Sequence, residues 1–363
     1  MTGGAGFIGS NFVDFWLGSH PGDRMVVLDA LTYAGSRDTL SHAEQRYDIR
    51  FVHGDILDFE LVRSLLWEEG IDTIVHFAAE SHVDRSIETA DPFVRTNVLG
   101  TQTLLKASKA VWLDGSGPST SSGRASHGSN LQTTFRFHHV STDEVFGSLQ
   151  PGDQPFTEQS PYRPNSPYAA SKAGADHLVR AYASTYGLPV TISNGSNTFG
   201  PRQYPEKLIP LTVLNMLQGR PTPVYGDGSN IRDWLHVSDH CRGIQAVIER
   251  GRVGEMYCIA GRTEVSNLEL VRSIAVVMDE LRPESESVPH SSLIRFVQDR
   301  RGHDLRYALD TSKIERQLGF QPSCDFPSSL RECVMWYLEH QDWMHSDSVS
   351  CRLPGSLASG TSG

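Results

Sequence analysis

The chain has 363 residues, of which 38% are hydrophobic, and its 32 basic and 43 acidic side chains give a net charge of −11. This length suggests two domains, or one large α/β domain with a smaller lobe, and the acidic balance argues against nucleic acid or an anionic membrane as the partner. No apolar run approaches the ~18 residues that a membrane helix needs, and no signal-peptide pattern opens the chain. Five scattered cysteines without a CxxC spacing favour a cytoplasmic protein with neither a disulfide framework nor a metal site.

Short apolar strands alternate with helical patterns in the first half of the chain. Strands are predicted at 25–28, 51–53, 73–77, 135–141 and 189–193. A first helix carries Ile8, Phe12 and Trp16 on one face, and longer helices are predicted at 93–110 and 167–186. This alternation indicates a Rossmann-like, doubly wound parallel sheet that helices cover on both faces.

The pattern changes near residue 200, where loops rich in proline and glycine begin to separate the helices. Residues 1–200 are predicted to form the nucleotide-binding domain, with an inserted surface loop over 114–130 that is rich in glycine and serine. The tail over 346–363 is similar in composition and is predicted to be disordered. Residues 201–343 are predicted to form mainly a smaller substrate-binding lobe, with helices at 206–218, 267–281 and 326–338.

Three glycines stand at intervals of three residues near the start of the chain. Gly3, Gly6 and Gly9 precede the first amphipathic helix, a pattern that lets the backbone approach a pyrophosphate at a helix N-terminus. Asp29 ends the next strand about 20 residues further on, where a carboxylate accepts hydrogen bonds from the adenosine ribose. Because that carboxylate repels a 2′-phosphate, the sequence favours NAD over NADP. Asp55 follows the strand after that, and it is interpreted either as an adenine contact or as a plain turn residue.

The glycine pattern begins unusually close to the start of the chain. Only Met1 and Thr2 precede Gly3, whereas a dinucleotide fingerprint follows a strand. In the 3-2-1-4-5-6 strand order that strand lies in the middle of the sheet. We therefore expect that the chain as given lacks a first strand of ~5–6 residues, and that two neighbouring strands and the glycine loop lose their support.

Two short motifs carry groups suited to acid–base chemistry. Tyr168 and Lys172 lie four residues apart on one helix face, where an ammonium lowers the pKa of a phenol and prepares it to accept a proton. Thr142, Asp143 and Glu144 close a predicted strand of the sheet. Paired acids invite divided roles, one protonated and one ionised, although an exposed acidic turn explains this tetrapeptide about equally well on its own.

Seven stretches of the chain resemble the dTDP-glucose 4,6-dehydratases, a family of extended short-chain dehydrogenases. The resemblance runs from Thr2 to about residue 343 and is weakest in the inserted loop. The stretches are TGGAGFIGSNF at 2–12, AAESHVDRS at 78–86, HHVSTDEVFG at 138–147, SPYAASKA at 166–173, GPRQYPEKLIP at 200–210, VYGDGSNIRDWLHV at 224–237 and DRRGHDLRYALD at 299–310.

The resemblance implies that dTDP-glucose is converted to dTDP-4-keto-6-deoxyglucose and water through transient reduction of NAD. It implies that Tyr168 accepts the proton of the C4 hydroxyl, with Lys172 lowering the pKa of Tyr168, and that Thr142 hydrogen-bonds the C4 oxygen. The C4 ketone acidifies the C5 proton, which Glu144 removes, and Asp143 protonates the departing C6 hydroxyl. The resemblance also implies a homodimer formed through the helices at 93–110 and 167–186.

The residues that match the family's ligand contacts fall into two sets. The predicted NAD contacts, including those from the glycine pattern, are Gly3, Gly6, Phe7, Ile8, Gly9, Asp29, Ala30, Leu31, Thr32, Asp55, Ile56, Phe77, Ala78, Ala79, Ser81, Thr96, Tyr168, Lys172 and Thr198. The predicted nucleotide-sugar contacts are Ser81, His82, Thr142, Asn197, Lys207, Leu208, Pro223, Val224, Tyr225, Arg232, Asn267, Asp299 and His303. Asn267 is also interpreted as a helix N-cap.

Three other readings stay open. A related nucleotide-sugar epimerase or decarboxylase would keep the glycine loop and the Tyr168–Lys172 pair but would not need the acids Asp143 and Glu144. A GDP-mannose dehydratase would keep a glutamate but prefers NADP, against which Asp29 argues. A non-catalytic, truncated product would be unable to hold NAD.

Overall fold

The computed structural model describes residues 1–117 and 135–344. Most of the predicted loop over 114–130, and all of the predicted tail over 346–363, therefore lie outside the described residues. The strands are β1 (Met25–Asp29), β2 (Ile49–His53), β3 (Thr73–His76), β4 (Arg136–Thr142), β5 (Val190–Gly195), β6 (Asn197–Phe199), β7 (Thr222–Tyr225), β8 (Ile231–His236), β9 (Met256–Ile259), β10 (Glu264–Ser266) and β11 (Ile294–Val297).

The helices range from single turns to the 20 residues of α7. Two π-helical segments, Val94–Gly100 and Lys109–Leu113, flank α6 and extend the helix predicted at 93–110. The α-helices are α1 (Phe7–Ser19), α2 (Ser41–Glu44), α3 (Phe59–Glu68), α4 (Val83–Glu88), α5 (Asp91–Phe93), α6 (Thr101–Ser108), α7 (Pro167–Tyr186), α8 (Leu208–Leu217), α9 (Val237–Arg250), α10 (Asn267–Leu281), α11 (Ser312–Leu318), α12 (Phe326–Glu339) and α13 (Gln341–Met344). Within the described residues, no helix combines the length and hydropathy needed to cross a bilayer.

The main sheet is parallel, and Thr2 occupies an interior position in it. β1 pairs with β2, while β3, β4, β5 and β9 pair in that order, all in parallel. Thr2 joins the two groups through parallel bridges to Leu28 on β1 and to His76 on β3. The sheet order is therefore β2-β1-Thr2-β3-β4-β5-β9, which confirms the predicted doubly wound α/β fold.

Met1 and Thr2 occupy only one end of the strand position between β1 and β3. Thr2 N donates to Val75 O at 3.1 Å, and Gly3 N donates to Leu28 O at 3.0 Å, so the glycine loop is anchored to both neighbouring strands. The glycine loop therefore keeps its support from these two strands, contrary to the expectation from the sequence. At the other end of this strand position, a cavity of about 360 Å³ lies between β1 and β3, and Trp16 is among the residues that line it.

Apolar side chains bury both faces of the main sheet. Phe12 of α1, Val27 of β1 and Ile244 of α9 belong to the cluster on one face. Leu105 of α6 and Val179 of α7 belong to the cluster on the other face, together with residues of α3. Because helices cover both faces, β1 and β9 consist almost entirely of apolar residues instead of alternating apolar and polar ones.

The chain beyond residue 200 contributes both to the main sheet and to a second core. β8 lies between β6 and β10, β7 pairs with β11, and α8, α10 and α12 pack around a core that includes Met216, Ile274 and Tyr337. Two elements from this part of the chain return to the first sheet, since β9 pairs with β5 and α9 packs against α1. The boundary at residue 200 stays a prediction, and the segment from α9 to β9 lies with the main sheet because its apolar side chains are buried there.

Candidate active site

The glycine loop packs too tightly for side chains. Gly3 has a φ of +68°, and a Cβ on it would lie 2.5 Å from Ala78 N. A Cβ on Gly9 would lie 2.2 Å from Gly3 O. The loop leads into α1, whose N-cap Gly6 makes no side-chain capping hydrogen bond. The first N–H groups of α1 are therefore available to an anion that enters beside the loop.

Asp29 is fixed at the end of β1 by two backbone donors. Ala5 N donates to Asp29 Oδ2 at 2.8 Å, and Leu31 N donates to Asp29 Oδ1 at 2.9 Å. These bonds tie the carboxylate to the glycine loop on one side and to the loop after β1 on the other. The side chain is nearly buried, so its charge is directed into the cavity beside the loop rather than into bulk solvent.

A cavity of about 250 Å³ opens at the carboxyl ends of the strands beside this loop. The predicted NAD contacts that line it are Gly3, Gly6, Phe7, Ile8, Gly9, Asp29, Ala30, Thr32, Asp55, Ile56, Phe77, Ala78, Ala79, Ser81, Thr96, Tyr168 and Lys172. We call it the cofactor cavity, because this edge of a doubly wound sheet is where such folds bind dinucleotides.

Two predicted cofactor contacts do not line that cavity. Leu31 packs against the apolar cluster beneath α1, and only its N–H reaches Asp29. Thr198 lines a second cavity instead, where its hydroxyl lies 2.9 Å from His240 Nδ1. Packing turns the side chains of both residues away from the cofactor cavity.

The acid pair stands on a tight turn directly after β4. Asp143–Phe146 form a 3₁₀ turn that Thr142 caps, since Glu144 N donates to Thr142 Oγ1 at 3.3 Å. The Thr142 hydroxyl in turn donates to Asp143 Oδ1 at 3.2 Å. The Asp143 side chain is only 2% exposed, so the alternative of an exposed acidic turn is wrong for this residue.

Tyr168 and Lys172 project from the first turns of α7 towards the end of β4. Ser166 caps the helix by accepting from Ala169 N at 3.1 Å. The Tyr168 phenol hydrogen-bonds the Thr142 hydroxyl, and Lys172 Nζ donates to Val140 O at 2.8 Å. The helix and the strand end therefore bring the two sequence motifs into one cluster.

Burial controls the protonation of this cluster. It raises the pKa of Asp143 well above its usual range, and the negative charges of Glu144 and Asp233 add to the rise. Burial also raises the pKa of Glu144, but Arg300 and Arg232 oppose that rise. The arrangement favours a protonated Asp143 beside a Glu144 that three nearby cations, Lys207 included, help to keep ionised.

The phenol of Tyr168 differs from the sequence expectation. Its pKa lies well above the usual range because of burial and the nearby charge of Glu144, rather than below it. The Lys172 pKa is itself lowered to about 8 by burial. Desolvation, which disfavours a phenolate, therefore outweighs the effect predicted from the Tyr168–Lys172 spacing.

A second cavity of about 220 Å³ lies between the turn after β4 and the second core. The predicted nucleotide-sugar contacts that line it are Ser81, His82, Asn197, Lys207, Leu208, Pro223, Val224, Tyr225, Arg232, Asn267 and His303. Glu144 lines it as well. We call it the sugar cavity.

Two predicted substrate contacts do not line the sugar cavity. The Thr142 hydroxyl is engaged by Tyr168 and Asp143. The Asp299 side chain is 45% exposed and lies against the other side of His303, whose Nδ1 is 2.6 Å from Asp299 Oδ1. Asp299 therefore orients His303 in the structure rather than facing the cavity.

The two cavities share a wall. Ser81, Gln203, Glu206 and Lys207 line both of them, and Lys207 Nζ donates to Ser81 O at 2.8 Å. Tyr33 OH donates to Glu206 Oε1 at 3.0 Å and so links the loop after β1 to this wall. A ligand in one cavity would be next to a ligand in the other.

Sequence reasoning missed several polar residues of these walls, Gln203, Glu206 and Arg300 among them. Gln203, Glu206 and Arg300 all line the sugar cavity, and Arg300 Nη1 lies 3.6 Å from Asp84 Oδ1. They lie inside the stretches at 200–210 and 299–310 that carry the family resemblance, which was the available signal. Their positions depend on how the second core packs against the sheet.

Two cavity residues have surroundings that clarify their roles. Arg232 is buried, donates from Nη2 to Asp304 O at 3.0 Å and lies 4.4 Å from the centre of the Tyr307 ring, so its cation is fixed in place. Asn267 is not the N-cap of α10, because Ser266 caps that helix in a capping box with Glu269. The interpretation of Asn267 as a cap is wrong, and its side chain faces the sugar cavity.

Comparison with known proteins agrees with this arrangement of two adjoining cavities on a doubly wound sheet. A family model described as GDP-mannose 4,6 dehydratase matches residues 1–333, and the chain belongs to that family of nucleotide-sugar dehydratases. Within it, the chain groups with the dTDP-glucose 4,6-dehydratases, which confirms the resemblance carried by its sequence motifs.

Three similar proteins illustrate the match. A dTDP-glucose 4,6-dehydratase of Xanthomonas campestris is 50% identical over 95% of this chain and 94% of its own length. One from Neisseria gonorrhoeae is 48% identical over 94% of this chain and 95% of its own. DesIV, a dTDP-glucose 4,6-dehydratase of Streptomyces venezuelae, has a crystal structure with NAD and TYD bound. It is 48% identical to this chain, and the match covers 95% of this chain and 98% of DesIV with a TM-score of 0.82.

Proposed function

We propose that the chain converts dTDP-glucose to dTDP-4-keto-6-deoxyglucose and water, with NAD reduced and reoxidised within one cycle. The observation that carries the proposal is the cluster of Thr142, Asp143, Glu144 and Tyr168 beside the wall that the cofactor and sugar cavities share. The identity to dTDP-glucose 4,6-dehydratases over nearly the whole chain supports it.

NAD fits the residues of the cofactor cavity. The loop has no room for a Cβ at Gly3 or Gly9, so the backbone there can approach a pyrophosphate closely. Asp29 offers a fixed carboxylate to the ribose hydroxyls and disfavours a 2′-phosphate. Bound NAD would supply the acceptor, and later the donor, of a hydride.

The first chemical role falls to Tyr168. Tyr168 acts as the base in its phenolate form: its oxygen accepts the proton of the C4 hydroxyl as C4 is oxidised, while the Thr142 hydroxyl orients the C4 oxygen. Because burial raises the pKa of this phenol, formation of the phenolate depends on the nearby Lys172 cation and on the positive charge that bound NAD would bring. The Lys172 ammonium stands one helical turn away and stabilises the negative charge of the phenolate before it takes the proton. Thr142 can therefore contribute to the reaction from the end of β4, although it does not line the sugar cavity.

The elimination of water falls to the two acids. Once C4 is a ketone, the C5 proton is acidic enough for Glu144, which lines the sugar cavity, to remove it. Hydroxide is a poor leaving group, so Asp143 protonates the C6 hydroxyl as it departs. The raised pKa of Asp143 supports this role, because a carboxyl that keeps its proton can act as an acid.

The dimeric state and the location are part of the same proposal. Val94, Leu99 and Leu113 on the helix that contains α6, and Tyr186 at the end of α7, are apolar and between 41% and 48% exposed. A second copy that packs on these two adjacent helices would bury them. A cytoplasmic location agrees with Cys241 and Cys333, which are free thiols in the structure.

The proposal is tested by incubating the purified, NAD-loaded chain separately with dTDP-glucose, UDP-glucose and GDP-mannose. We expect an alkali-sensitive keto sugar from dTDP-glucose and little from the other two. A C4 epimer without a keto sugar would favour the epimerase reading. Turnover of GDP-mannose in preference to dTDP-glucose would assign the chain to the activity after which its family model is named.

A further inference from the structure

Asp176 is a buried acid that lines neither the cofactor cavity nor the sugar cavity. It stands on α7 one helical turn beyond Lys172 and two turns beyond Tyr168, so the three side chains share one face of the helix. Its side chain is fully buried. An acid in such a place is costly unless donors or a cation compensate its charge.

The Asp176 carboxylate is surrounded by polar groups from three other segments. Tyr162 OH donates to Oδ2 at 2.7 Å, and Ser141 Oγ donates to Oδ2 at 2.9 Å. Asn194 Nδ2 donates to the same oxygen at 3.4 Å, and His139 Nε2 lies 3.2 Å from Oδ1. Burial would raise the pKa of Asp176, but His139 and the Lys172 ammonium outweigh it, so the pKa is lowered and the carboxylate is held ionised.

The other titratable groups packed around Lys172 carry no charge near neutral pH. Burial lowers the pKa of His76 on β3 well below its usual range and that of His139 on β4 to about 4. The phenol of Tyr168 has a raised pKa for the same reason. Asp176 is therefore the ionised partner buried with the Lys172 ammonium, and it opposes the fall of the Lys172 pKa.

The same carboxylate connects α7 to the end of β4. Ser141 precedes the catalytic Thr142, and Asn194 donates both to Asp176 Oδ2 and to Thr142 O, the latter at 3.0 Å. The helix that carries Tyr168 is thereby held against the strand end that carries Thr142.

We propose that Asp176 is a positioning residue of the dehydratase, acting as the counter-ion that keeps Lys172 charged and as the anchor that holds the end of β4 against α7. The kinetic side of this inference rests on the proposed function. The predicted effect on the charge of Lys172 does not rest on it, because that charge can be measured in a chain that turns over no substrate.

The direct test measures the protonation of Lys172 in Asp176→Asn. Trace labelling of the chain with acetic anhydride at a series of pH values, read by mass spectrometry, reports the fraction of Lys172 that is unprotonated. We expect the labelling midpoint to move down by about 1 pH unit or more, since a neutral amide no longer opposes deprotonation. In an active chain, the alkaline limb of the kcat/KM profile should move down with it. An unmoved midpoint overturns the proposal.

Asp239→Asn is the matched control. Asp239 is another buried acid, and it accepts from Ser323 N at 2.8 Å and from Cys324 N at 2.9 Å, on α9 and away from Lys172. Its replacement should lower the melting temperature without moving the Lys172 midpoint. If both variants move the midpoint alike, the effect is a general loss of structure and the proposal fails.

A second comparison covers the case in which Asp176→Asn does not fold. Lys172→Met leaves the buried carboxylate without its cation, so Asp176→Asn should cost less stability when it is added to Lys172→Met than when it is made in the parent chain. An equal or larger loss of stability in the Lys172→Met background would show that Asp176 serves only as an anchor, which contradicts its role as counter-ion.

Discussion

Asp143 and Glu144 are consecutive residues, yet Glu144 lines the sugar cavity while Asp143 is buried and lines neither cavity. The Thr142 hydroxyl donates to Asp143 Oδ1, and Asp143 Oδ2 has no hydrogen-bond partner among the described residues. The 3₁₀ turn after β4 thus gives the two carboxyl groups different surroundings. This difference is what allows one to act as an acid while the other acts as a base.

The two acids should fail at different steps when replaced by their amides. Asp143→Asn should retain oxidation at C4 and accumulate reduced cofactor absorbance, since an amide cannot protonate the departing C6 hydroxyl. Glu144→Gln should block exchange of the C5 proton with deuterated solvent. Each should lower kcat by ~10²–10⁴-fold. If both variants stay within about threefold of the parent chain, the roles assigned to these acids are wrong.

Asp29 should control the choice of cofactor. Asp29→Ala removes the acceptor for the ribose hydroxyls and the repulsion of a 2′-phosphate. NAD should therefore bind more weakly, and the ratio of the affinities for NAD and NADP should fall. Titration of each cofactor, followed by tryptophan fluorescence, measures both changes. Asp23→Ala is a suitable control, because Asp23 is an exposed acid that contacts Trp16 and does not line the cofactor cavity. An unchanged ratio of affinities in Asp29→Ala would place the selectivity in other residues.

Asp143 should also make the stability of the folded chain depend on pH. Burial raises its pKa in the folded state, so its contribution is fully present below about pH 4 and is lost as the pH rises towards the raised value. Asp143→Asn removes this titration. The melting temperature of the variant, relative to that of the parent, should therefore increase between about pH 4 and pH 7. Parallel curves for the two proteins would mean that Asp143 ionises in the folded state as easily as in the unfolded state.

The cavity between β1 and β3 should accept added strand. Fusing about five alternating apolar residues ahead of Met1 would extend the pairing begun by Thr2, and each side chain that becomes buried is worth ~1.5–3 kcal/mol. We expect a higher melting temperature and tighter binding of NAD, because the glycine loop starts from this position. A fused segment of the same length made of glycine and serine is the control. Equal melting of the two fusions would show that the cavity does not take a strand.

Local motifs in the sequence located much of the site because they act over a few residues. The glycine pattern, Asp29, and the pair Tyr168 and Lys172 each depend on one loop or one helix, and the structure brings them to one edge of the sheet. The parallel fold followed in the same way from the alternation of apolar runs. The direction of the Tyr168 pKa was not accessible, because it depends on burial by several distant segments.

The remaining features required tertiary packing. Gln203 and Glu206 reach both cavities only because the second core places their segment against the sheet. Asp299 was expected in the sugar cavity but lies against His303 from outside. Asp176 looks like an ordinary helix residue in the sequence, and only its contacts with β4 and β5 connect it to Lys172.

The path of the hydrogen at C4 tests the central claim most directly. The chain is incubated with dTDP-glucose that carries deuterium at C4, and the product is examined by NMR. Because the hydride that leaves C4 is returned to C6 within one cycle, the account predicts a 4-keto product with deuterium in its C6 methyl group and no net change in NAD. A product without deuterium at C6, or a stoichiometric accumulation of reduced NAD, would contradict it.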